Sequence, residues 1–315
     1  MLIAPRMERL DGGAPVPQRY RGGIVALGNF DGFHLGHQAV VGRAVALAKA
    51  RGVPALVATF DPHPVRFFKP DTSPFRLTTL DQRQRLFGAA GADAMVVLHF
   101  DAALARLSAA AFVDECLVTN LGVAGVVTGQ DFTFGAKRGG NVGVLATLGA
   151  ANGFSCDTVG PVTAADEVVS SSRIRALLQG ADPAGAARLL TRPYAIAGTV
   201  QHGDKVGRTI GYPTANIDMG SYLRPAYGIY AVRARLADGR VVDGAANIGV
   251  RPTFDPPKEL LEVFLFDFAE DLYGQAIEVE LIAYLRPEAK FDGLDALVAQ
   301  MDADCAAARV VLASS

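Results

Sequence analysis

Two histidines three positions apart, His34 and His37, stand in the glycine-rich string of residues 28–37. The glycines let the main chain approach a ligand closely, and a helix that begins here would present free N–H groups to a phosphate. Two imidazoles at the start of one helix can stabilise the negative charge that develops on a phosphorus atom under attack. The string therefore indicates chemistry at phosphorus. A glycine-rich turn with one capping and one core histidine would explain the same residues.

A second cluster, residues 170–175, combines three serine hydroxyls with Arg173 and Arg175. Guanidinium groups have a fork geometry that suits phosphate oxygens, and the loop-to-helix junction predicted here adds free N–H groups. The combination indicates a phosphate site. Taken alone, however, the pattern favours an ordinary solvated helix start.

A third cluster, residues 198–216, is rich in glycine and polar side chains. The Gly-Lys-Ser/Thr signature of a Walker P-loop is missing, but the glycines still permit a main-chain cradle for phosphates. Thr214 and Asn216, two positions apart on an extended segment, can offer two oxygens to one hard cation such as Mg²⁺. A glycine-rich hairpin with a polar edge strand is the alternative, and the spacing alone favours it.

Strands and helices must position the first cluster, and the sequence predicts them from short apolar runs that alternate with amphipathic segments. The predicted strands are residues 23–28, 54–60, 93–100 and 123–129, and the predicted helices are residues 36–51, 79–90 and 108–120. Thr79 and Gln82 predict a capping box, and Gly122 is the predicted end of the third helix. Alternating strands and helices indicate a parallel sheet, whose ligands bind beyond the carboxyl ends of the strands.

In the second half of the chain, apolar and polar residues alternate along short segments, which is typical of half-exposed antiparallel strands. These strands are predicted over residues 194–200, 227–236, 240–246, 261–268 and 276–285. Asp182-Pro183 predicts the start of a short preceding helix, Asp238-Gly239 predicts a hairpin turn, and residues 294–312 predict a terminal helix. We therefore expect a parallel α/β domain over residues 1–188 and an antiparallel β domain over residues 189–315.

The composition is that of a folded protein, with 50% hydrophobic and 20% charged residues. A net charge of −2 offers no global basic field, so neither a nucleic acid nor a membrane is an expected partner. Three widely spaced cysteines without a Cys-x-x-Cys pair indicate neither a disulfide framework nor a zinc ribbon. The charged N-terminal residues predict no secretory signal, so we expect a cytoplasmic protein. Whether the chain forms a homo-oligomer stays open.

The string Gly-Asn-Phe-Asp-Gly followed by His-x-Gly-His resembles the HxGH nucleotidyltransferase superfamily, and in particular the adenylyltransferase module of bifunctional riboflavin kinase/FAD synthetases. Residues 59–64, 129–135 and 170–175 resemble the same module in order. The resemblance implies a Rossmann-like domain with His34 and His37 as catalytic residues. The implied contacts to ATP and its phosphates are Gly28, Asn29, Phe30, Asp31, Gly32, Gly36, Ser171, Ser172, Arg173 and Arg175.

Residues 207–216, 247–254 and 271–274 resemble the riboflavin kinase module of that family. The resemblance implies a β-barrel in which Glu262 takes the proton from the ribityl hydroxyl and Thr214 and Asn216 hold Mg²⁺. Phe264 is a departure, since many members carry histidine there. The implied phosphate contacts of this module are Gly203, Gly207, Arg208 and Gly211. The flavin contacts implied for the whole chain are His63, Phe68, Asp131, Phe134 and Arg286.

The resemblance thus implies an enzyme that uses ATP and Mg²⁺ to phosphorylate riboflavin to FMN and then to adenylylate FMN, giving FAD and pyrophosphate. One alternative keeps the kinase but gives the first module another acceptor, such as pantetheine phosphate or nicotinamide mononucleotide. Residues 59–64 and the fusion to a flavin kinase argue against it. A second alternative is a flavin-binding regulator without turnover. Such a regulator would need neither a base nor a group that stabilises charge on phosphorus.

Overall fold

The computed structural model describes residues 7–202, 211–251 and 258–315. The chain forms two compact units. The first unit contains the described part of Met1–Thr72 together with Thr79–Ser170, and the second contains Ser73–Thr78 together with the described part of Ser171–Ser315. The predicted mixed architecture, a parallel sheet followed by an antiparallel barrel with a terminal helix, is confirmed.

The first unit is built on a six-stranded parallel sheet in the order β1-β4-β3-β2-β5-β8. Two short hairpins, β6 with β7 and β9 with β10, lie outside this sheet. The strands are β1 Glu8–Asp11, β2 Ile24–Leu27, β3 Ala55–Asp61, β4 Ala94–His99, β5 Gly125–Gly129, β6 Thr133–Phe134, β7 Gly140–Asn141, β8 Ser155–Val159, β9 Thr163–Ala164 and β10 Glu167–Val168. All four predicted strands form the centre of the sheet.

Helices cover both faces of this sheet, because alternate strand residues enter two separate apolar cores. The helices are α1 Leu35–Arg51, α2 Pro64–Phe68, α3 Leu80–Ala89, α4 Ala102–Arg106, α5 Ala109–Phe112 and α6 Val142–Ala151. The capping box of α3 is confirmed: Thr79 Oγ1 accepts from the N–H of Gln82 at 3.2 Å, and the N–H of Thr79 donates to Gln82 Oε1 at 2.9 Å.

The third predicted helix differs from its expected form. After α5 the chain continues as the π-helical segment Val113–Leu121, with wider turns than an α-helix, and Gly122 ends it with a φ of +58°. The predicted glycine stop is therefore confirmed, but the expected single α-helix is wrong over most of its length.

The second unit is a closed six-stranded antiparallel barrel in the order β11-β12-β15-β14-β13-β16 among the described residues. Its elements are α7 Ser171–Gln179, α8 Pro183–Leu190, β11 Tyr194–Gln201, β12 Ala215–Asp218, β13 Gly228–Arg235, β14 Val241–Arg251, β15 Lys258–Leu265, β16 Ala276–Arg286 and α9 Leu294–Ala313. Asp182 caps α8 by accepting from the N–H of Gly185, and Gly239, at a φ of +91°, turns β13 into β14; both predictions are confirmed.

Two barrel strands have other bounds than predicted. β14 continues to Arg251, because its pairing with β15 extends to the register pair Arg251 and Lys258. β15 ends at Leu265 rather than at residue 268, because Asp267 is left-handed, at a φ of +53°, and cannot continue an extended strand.

Candidate active sites

The histidine pair of the first unit lies at the carboxyl end of β2, where the sheet order reverses direction. The chain runs from β2 to β3 and β4 on one side, whereas β5 pairs with β2 on the other side. Such a reversal opens a crevice at the strand ends, and this crevice is the usual ligand site of open parallel sheets. The sequence-predicted position of this site is therefore consistent with the observed topology.

His34 and His37 are brought together at the start of α1. His34 is the N-cap residue, and its Nδ1 accepts a hydrogen bond from the N–H of His37 at 3.4 Å. The two rings are stacked, with centroids 3.6 Å apart and planes 20° apart. Gly36 leaves room for this pair, because a Cβ at that position would lie 3.2 Å from the His34 ring. The pair is therefore a pre-formed, compact imidazole surface.

The turn before the pair has an unusual backbone. Phe30 and Phe33 are left-handed, at φ of +50° and +46°, as is Gly32 at +88°. Both phenylalanine rings pack edge-on against Phe87 of α3, at centroid distances of 5.7 and 5.1 Å. Gly28 allows the close approach of Phe30, whose ring lies 3.1 Å from where a Cβ would stand.

Two buried polar atoms at these strand ends have no hydrogen-bond partner in the described part of the chain. They are Asn29 Oδ1, just beyond β2, and Thr128 Oγ1, near the end of the neighbouring β5. Burying a polar atom without a partner costs free energy, so such atoms mark places where a ligand or water completes the bonding. This observation supports a polar ligand at the switch point.

Arg83 was missed by the sequence reasoning. It is 1% exposed, and its Nη1 donates to the Asn29 carbonyl at 3.1 Å and to Thr59 Oγ1 at 3.0 Å. In the sequence it stands in a Gln-Arg-Gln-Arg run, which is typical of a solvated helix face. No signal in the residue types distinguishes it from its exposed neighbour Arg85.

The four predicted flavin contacts of the first unit lie on two segments. His63 is the N-cap residue of α2, and Phe68 is the last residue of that helix. His63 Nδ1 accepts from the N–H of Val65 at 3.2 Å, and the Phe68 ring is 64% exposed. Asp131 is exposed in the link from β5 to β6, whereas Phe134 is buried and stacked on Phe132 at 5.7 Å. The Phe68 ring is open to contact with a flat ligand, and the flavin role of all four residues stays a prediction.

The predicted phosphate residues Ser171, Ser172, Arg173 and Arg175 belong to the second unit, where they form the first turn and a half of α7. Arg175 Nε donates to the Phe75 carbonyl at 2.8 Å, and the guanidinium lies 5.1 Å from the Phe75 ring centroid. Because residues two apart on a helix project about 200° apart, Arg173 and Arg175 leave α7 in different directions.

A polar row crosses three neighbouring strands of the barrel. Glu262 on β15 lies directly opposite Asn216 on β12 and directly opposite Asn247 on β14. Side chains of directly opposed residues share one face, with Cβ atoms about 4.5–5.5 Å apart. That face is the outer one, because Ile217, Leu261 and Ile248 point inward and are fully buried. Thr214 lies one residue before β12 begins, and its place in this row stays a prediction.

Asn247 is a second residue for which sequence reasoning assigned no role. Its Nδ2 donates weakly to Glu288 Oε1 at 3.4 Å, and its buried Oδ1 has no partner in the described residues. The signal that could have found it is the motif at residues 247–254, which was recognised without a function for its first residue. Its register places an amide beside the predicted base.

The segment leading to Thr214 is held by α9. Tyr212 donates its hydroxyl proton to Asp302, and this hydrogen bond, aided by burial, raises the pKa of Tyr212 to about 12. The Tyr212 ring also packs against Phe264 at 4.9 Å. Gly211 is left-handed at a φ of +87°, while the other three predicted phosphate residues here, Gly203, Gly207 and Arg208, lie outside the described residues.

Arg286, the predicted flavin contact of the barrel, is engaged by α9. Its Nε and Nη2 donate to the two carboxylate oxygens of Asp304 at 2.8 and 2.6 Å, and these hydrogen bonds raise the pKa of the guanidinium. Bidentate pairing of this kind fixes the plane of the guanidinium. The structure therefore shows a salt bridge that links β16 to α9, and the flavin role of Arg286 stays a prediction.

The oxygen donors of the barrel row suit a hard cation. Asn216 is 6% exposed, and with Thr214 it supplies neutral oxygens, the kind that Mg²⁺ accepts when substrate phosphates and waters complete its shell. Within residues 7–202, 211–251 and 258–315, no cluster of three or more His, Cys, Asp or Glu side chains could hold a metal.

The first unit has an imidazole pair at the switch point of a parallel sheet, and the second unit is a barrel with a polar row. Together they define a two-module protein whose sites suit nucleotide chemistry. The FAD synthetase family model matches residues 16–173, and the riboflavin kinase family model matches residues 190–312. The chain therefore belongs to the family that combines an FAD synthetase module with a riboflavin kinase module.

Relatives in this family match over nearly their full length. The bifunctional riboflavin kinase/FMN adenylyltransferase of Pseudomonas fluorescens is 43% identical over 94% of this chain and 95% of the relative. The proteins of the same name from Escherichia coli K12 and Bacillus subtilis 168 are 38% and 40% identical, over 91% and 89% of this chain and 92% and 90% of their own length.

The fold also has a counterpart among solved structures. A crystal structure described as a macrolide-efflux protein from Streptococcus pneumoniae superposes with a TM-score of 0.84 at 30% identity, covering 95% of this chain and 97% of that one. For the present protein, no helix in the described part of the chain has the length and apolar character needed to cross a bilayer.

Proposed function

We propose that this protein carries out two consecutive transfers from ATP: phosphorylation of riboflavin to FMN, and adenylylation of FMN to FAD with release of pyrophosphate. The observation that carries the proposal is the presence, in one chain, of the stacked His34 and His37 pair and of the Asn216–Glu262 cross-strand pair. Each pair supplies the group type that its reaction requires, and the membership of both families supports the same assignment.

In adenylyl transfer, a phosphate oxygen of FMN attacks the α-phosphorus of ATP, and the bond to pyrophosphate breaks. Negative charge grows on the α-phosphate oxygens as this happens. We assign the stabilisation of this charge to His34 and His37, which act as hydrogen-bond donors already in place before the reaction. We assign the main chain of residues 28–36 to the nucleotide of this module. The phosphate role of Ser171, Ser172, Arg173 and Arg175 rests on the resemblance and on the fork geometry of their guanidinium groups.

In the kinase reaction, the terminal ribityl hydroxyl attacks the γ-phosphorus of ATP, and the bond to ADP breaks. We assign the acceptance of the hydroxyl proton to the carboxylate of Glu262. Glu262 is half-buried and lies opposite two neutral amides, those of Asn216 and Asn247, on the neighbouring strands. Thr214 and Asn216 would hold Mg²⁺, which on binding neutralises phosphate charge.

The remaining assignments rest on the sequence and on the resemblance. Riboflavin, FMN and ATP are the small-molecule partners, with no nucleic-acid or membrane partner, and the protein acts in the cytoplasm. Adenylyl transfer is assigned to residues 1–188 and phosphorylation to residues 189–315. His63, Phe68, Asp131, Phe134 and Arg286 are assigned to flavin binding.

Incubation of the purified chain with riboflavin and MgATP, followed by chromatographic separation of the flavins, tests the proposal. We expect FMN to appear first and FAD to follow. FMN without FAD, combined with nucleotidyl transfer to another acceptor, would support the first alternative. Bound but unchanged riboflavin would support a regulator and contradict the proposal.

A further inference from the structure

We propose that Arg83 is a positioning residue for adenylyl transfer, because its buried guanidinium holds the turn that carries His34 and His37. The inference rests on the proposed function of these two histidines. Arg83 acts through the main chain of the turn, so it sets where the imidazoles lie rather than taking part in the chemistry.

Hydrogen bonds link Arg83 to the Asn29 carbonyl, both directly and through Thr59. The Asn29 carbonyl accepts from Arg83 Nη1 at 3.1 Å and from Thr59 Oγ1 at 2.8 Å, and Arg83 Nη1 also donates to that Thr59 oxygen at 3.0 Å. Thr59 is fully buried on β3, and Arg83 is 1% exposed. The three groups form a closed triangle that ties α3, β3 and the end of β2 together.

The turn needs such a restraint, because its conformation is not one that phenylalanine residues adopt readily. Phe30 and Phe33 both have positive φ, and residues in this region persist only where their surroundings hold them. Phe87, one helical turn after Arg83, packs against both rings. One face of α3 therefore holds the turn twice, through a polar contact to its main chain and an apolar contact to its side chains.

The restraint passes directly to the histidines. The Phe30 ring contacts the His37 ring edge-on at 5.3 Å, and His37 stacks on His34. A displacement of the Asn29 carbonyl would shift Phe30 and with it the imidazole pair. Misplacement of a reacting group by about 1 Å can cost roughly 10²-fold in rate. The capping box of Thr79 and Gln82 satisfies N–H groups at the start of α3 and so stabilises the helix that carries Arg83.

Replacement of Arg83 by methionine keeps the aliphatic length and removes the donors, while Arg83→Lys keeps the charge and one donor group. We expect Arg83→Met to lower kcat for FAD formation from FMN by about 10²-fold with a change in KM for ATP of less than about 3-fold, and Arg83→Lys to lie between Met and the wild type. Riboflavin phosphorylation by the same chain is the internal control and should be unchanged.

Arg85→Met is the matched control, because Arg85 lies two residues along the same helix and is exposed. It should leave both activities as they are. Histidine ring resonances give a readout that a general loss of stability would not produce: among the five histidines of the chain, only His34 and His37 should shift in Arg83→Met below its melting temperature.

If the wild-type chain does not convert FMN to FAD, the proposed function itself is overturned. Wild-type activity combined with an unchanged FAD rate in both Arg83→Met and Arg83→Lys would overturn the positioning role alone. The same holds if KM for ATP rises while kcat is constant, since Arg83 would then serve nucleotide binding. If Arg83→Met does not fold, the kcat and the histidine shifts of Arg83→Lys decide the question.

Discussion

At the scale of single residues, the two centres contrast in how their groups are held. His34 and His37 fix each other by a hydrogen bond and by stacking, so their arrangement exists before any substrate binds. Glu262 is instead placed by strand register between Asn216 and Asn247. The first centre offers donors to a growing charge, and the second offers a single acceptor for a proton. This difference matches the different demands of the two transfers.

Glu262→Gln separates proton transfer from binding, since it keeps the shape of the side chain and removes its basic oxygen. We expect kcat for FMN formation to fall by about 10²–10⁴-fold, the range of a lost general base, with little change in the affinities for ATP and riboflavin. FAD formation from supplied FMN should continue. Steady-state kinetics of both reactions provide the measurement. Weakened MgATP binding at constant kcat would instead identify the carboxylate as a metal ligand.

The cysteines give a second expectation at this scale. Burial raises the pKa of the Cys116 and Cys305 thiols to about 11. At pH 8 the reactive thiolate of such a group is scarcer than that of a free cysteine by about 10²-fold. Iodoacetamide labelling followed by mass spectrometry should therefore modify both residues very slowly in the native chain and rapidly after unfolding. Rapid labelling of both in the native chain would contradict the assigned burial.

At the scale of elements, a salt bridge and a hydrogen bond anchor β15, the strand that carries Glu262. Arg224 pairs with Glu259 of β15 at 2.8 Å, and Tyr227 donates to the same carboxylate. Burial acts to raise the pKa of Glu259, but the hydrogen bonds from Tyr227 and Arg224 outweigh it, so the pKa lies below its usual value. The charged form of Glu259 is thus the one that the folded barrel favours.

The sign of the pH dependence follows from this lowered pKa. The stabilisation by Glu259 is complete above the pKa of the unfolded chain and is lost as the pH falls through the lower pKa of the folded state. Glu259→Gln should therefore lose less stability than the wild type when the pH falls from 5 towards 3. Urea midpoints across this range check the expectation. Identical pH profiles for the two chains would refute it.

Particular elements show how far the sequence determines the fold. The central strands were predictable because both faces of each are covered, which requires a continuous apolar run such as Ile24–Leu27. The outer strands β1 and β8 were not, because edge strands such as Glu8–Asp11 carry polar residues. The helix α6 was not predicted, because the two glycines at positions 143 and 149 lower the helix propensity of its sequence.

The residues of the candidate sites likewise divide into those that the sequence predicts and those that it does not. Motifs contiguous in sequence, such as His34 with His37, were predictable because their geometry is local. Arg83 and Asn247 were not, because their roles depend on contacts with residues 54 and 41 positions away, to Asn29 and Glu288 respectively. Only the packing of α3 and the register of β14 bring these groups to the sites.

At the scale of the whole molecule, the second compact unit resumes at Ser171, well before the first barrel strand begins at Tyr194. The helices α7 and α8 belong with the barrel: the N–H of Ala226 donates to the Leu178 carbonyl at 3.0 Å, and Leu189 and Leu190 are buried. A fragment that begins after α8 would leave apolar barrel surface uncovered.

Two fragments test the contribution of these helices. We expect residues 171–315 to melt at a higher temperature than residues 189–315, because only the longer fragment retains the apolar contacts of α7 and α8. Both fragments lack residues 73–78, so the comparison is matched. Thermal denaturation followed by circular dichroism is the measurement. Equal melting temperatures would show that the two helices add nothing to the barrel.

The central claim, that two separate sites in one chain act in sequence, is tested most directly by mixing two inactive variants. With riboflavin and MgATP, Glu262→Gln should leave riboflavin unconverted, and His37→Ala should stop at FMN, on a time scale in which the wild type completes FAD synthesis. An equimolar mixture should form FAD, because FMN released by one variant reaches the intact adenylyl site of the other. A mixture that forms no FAD, or FAD formed by His37→Ala alone, would contradict the account.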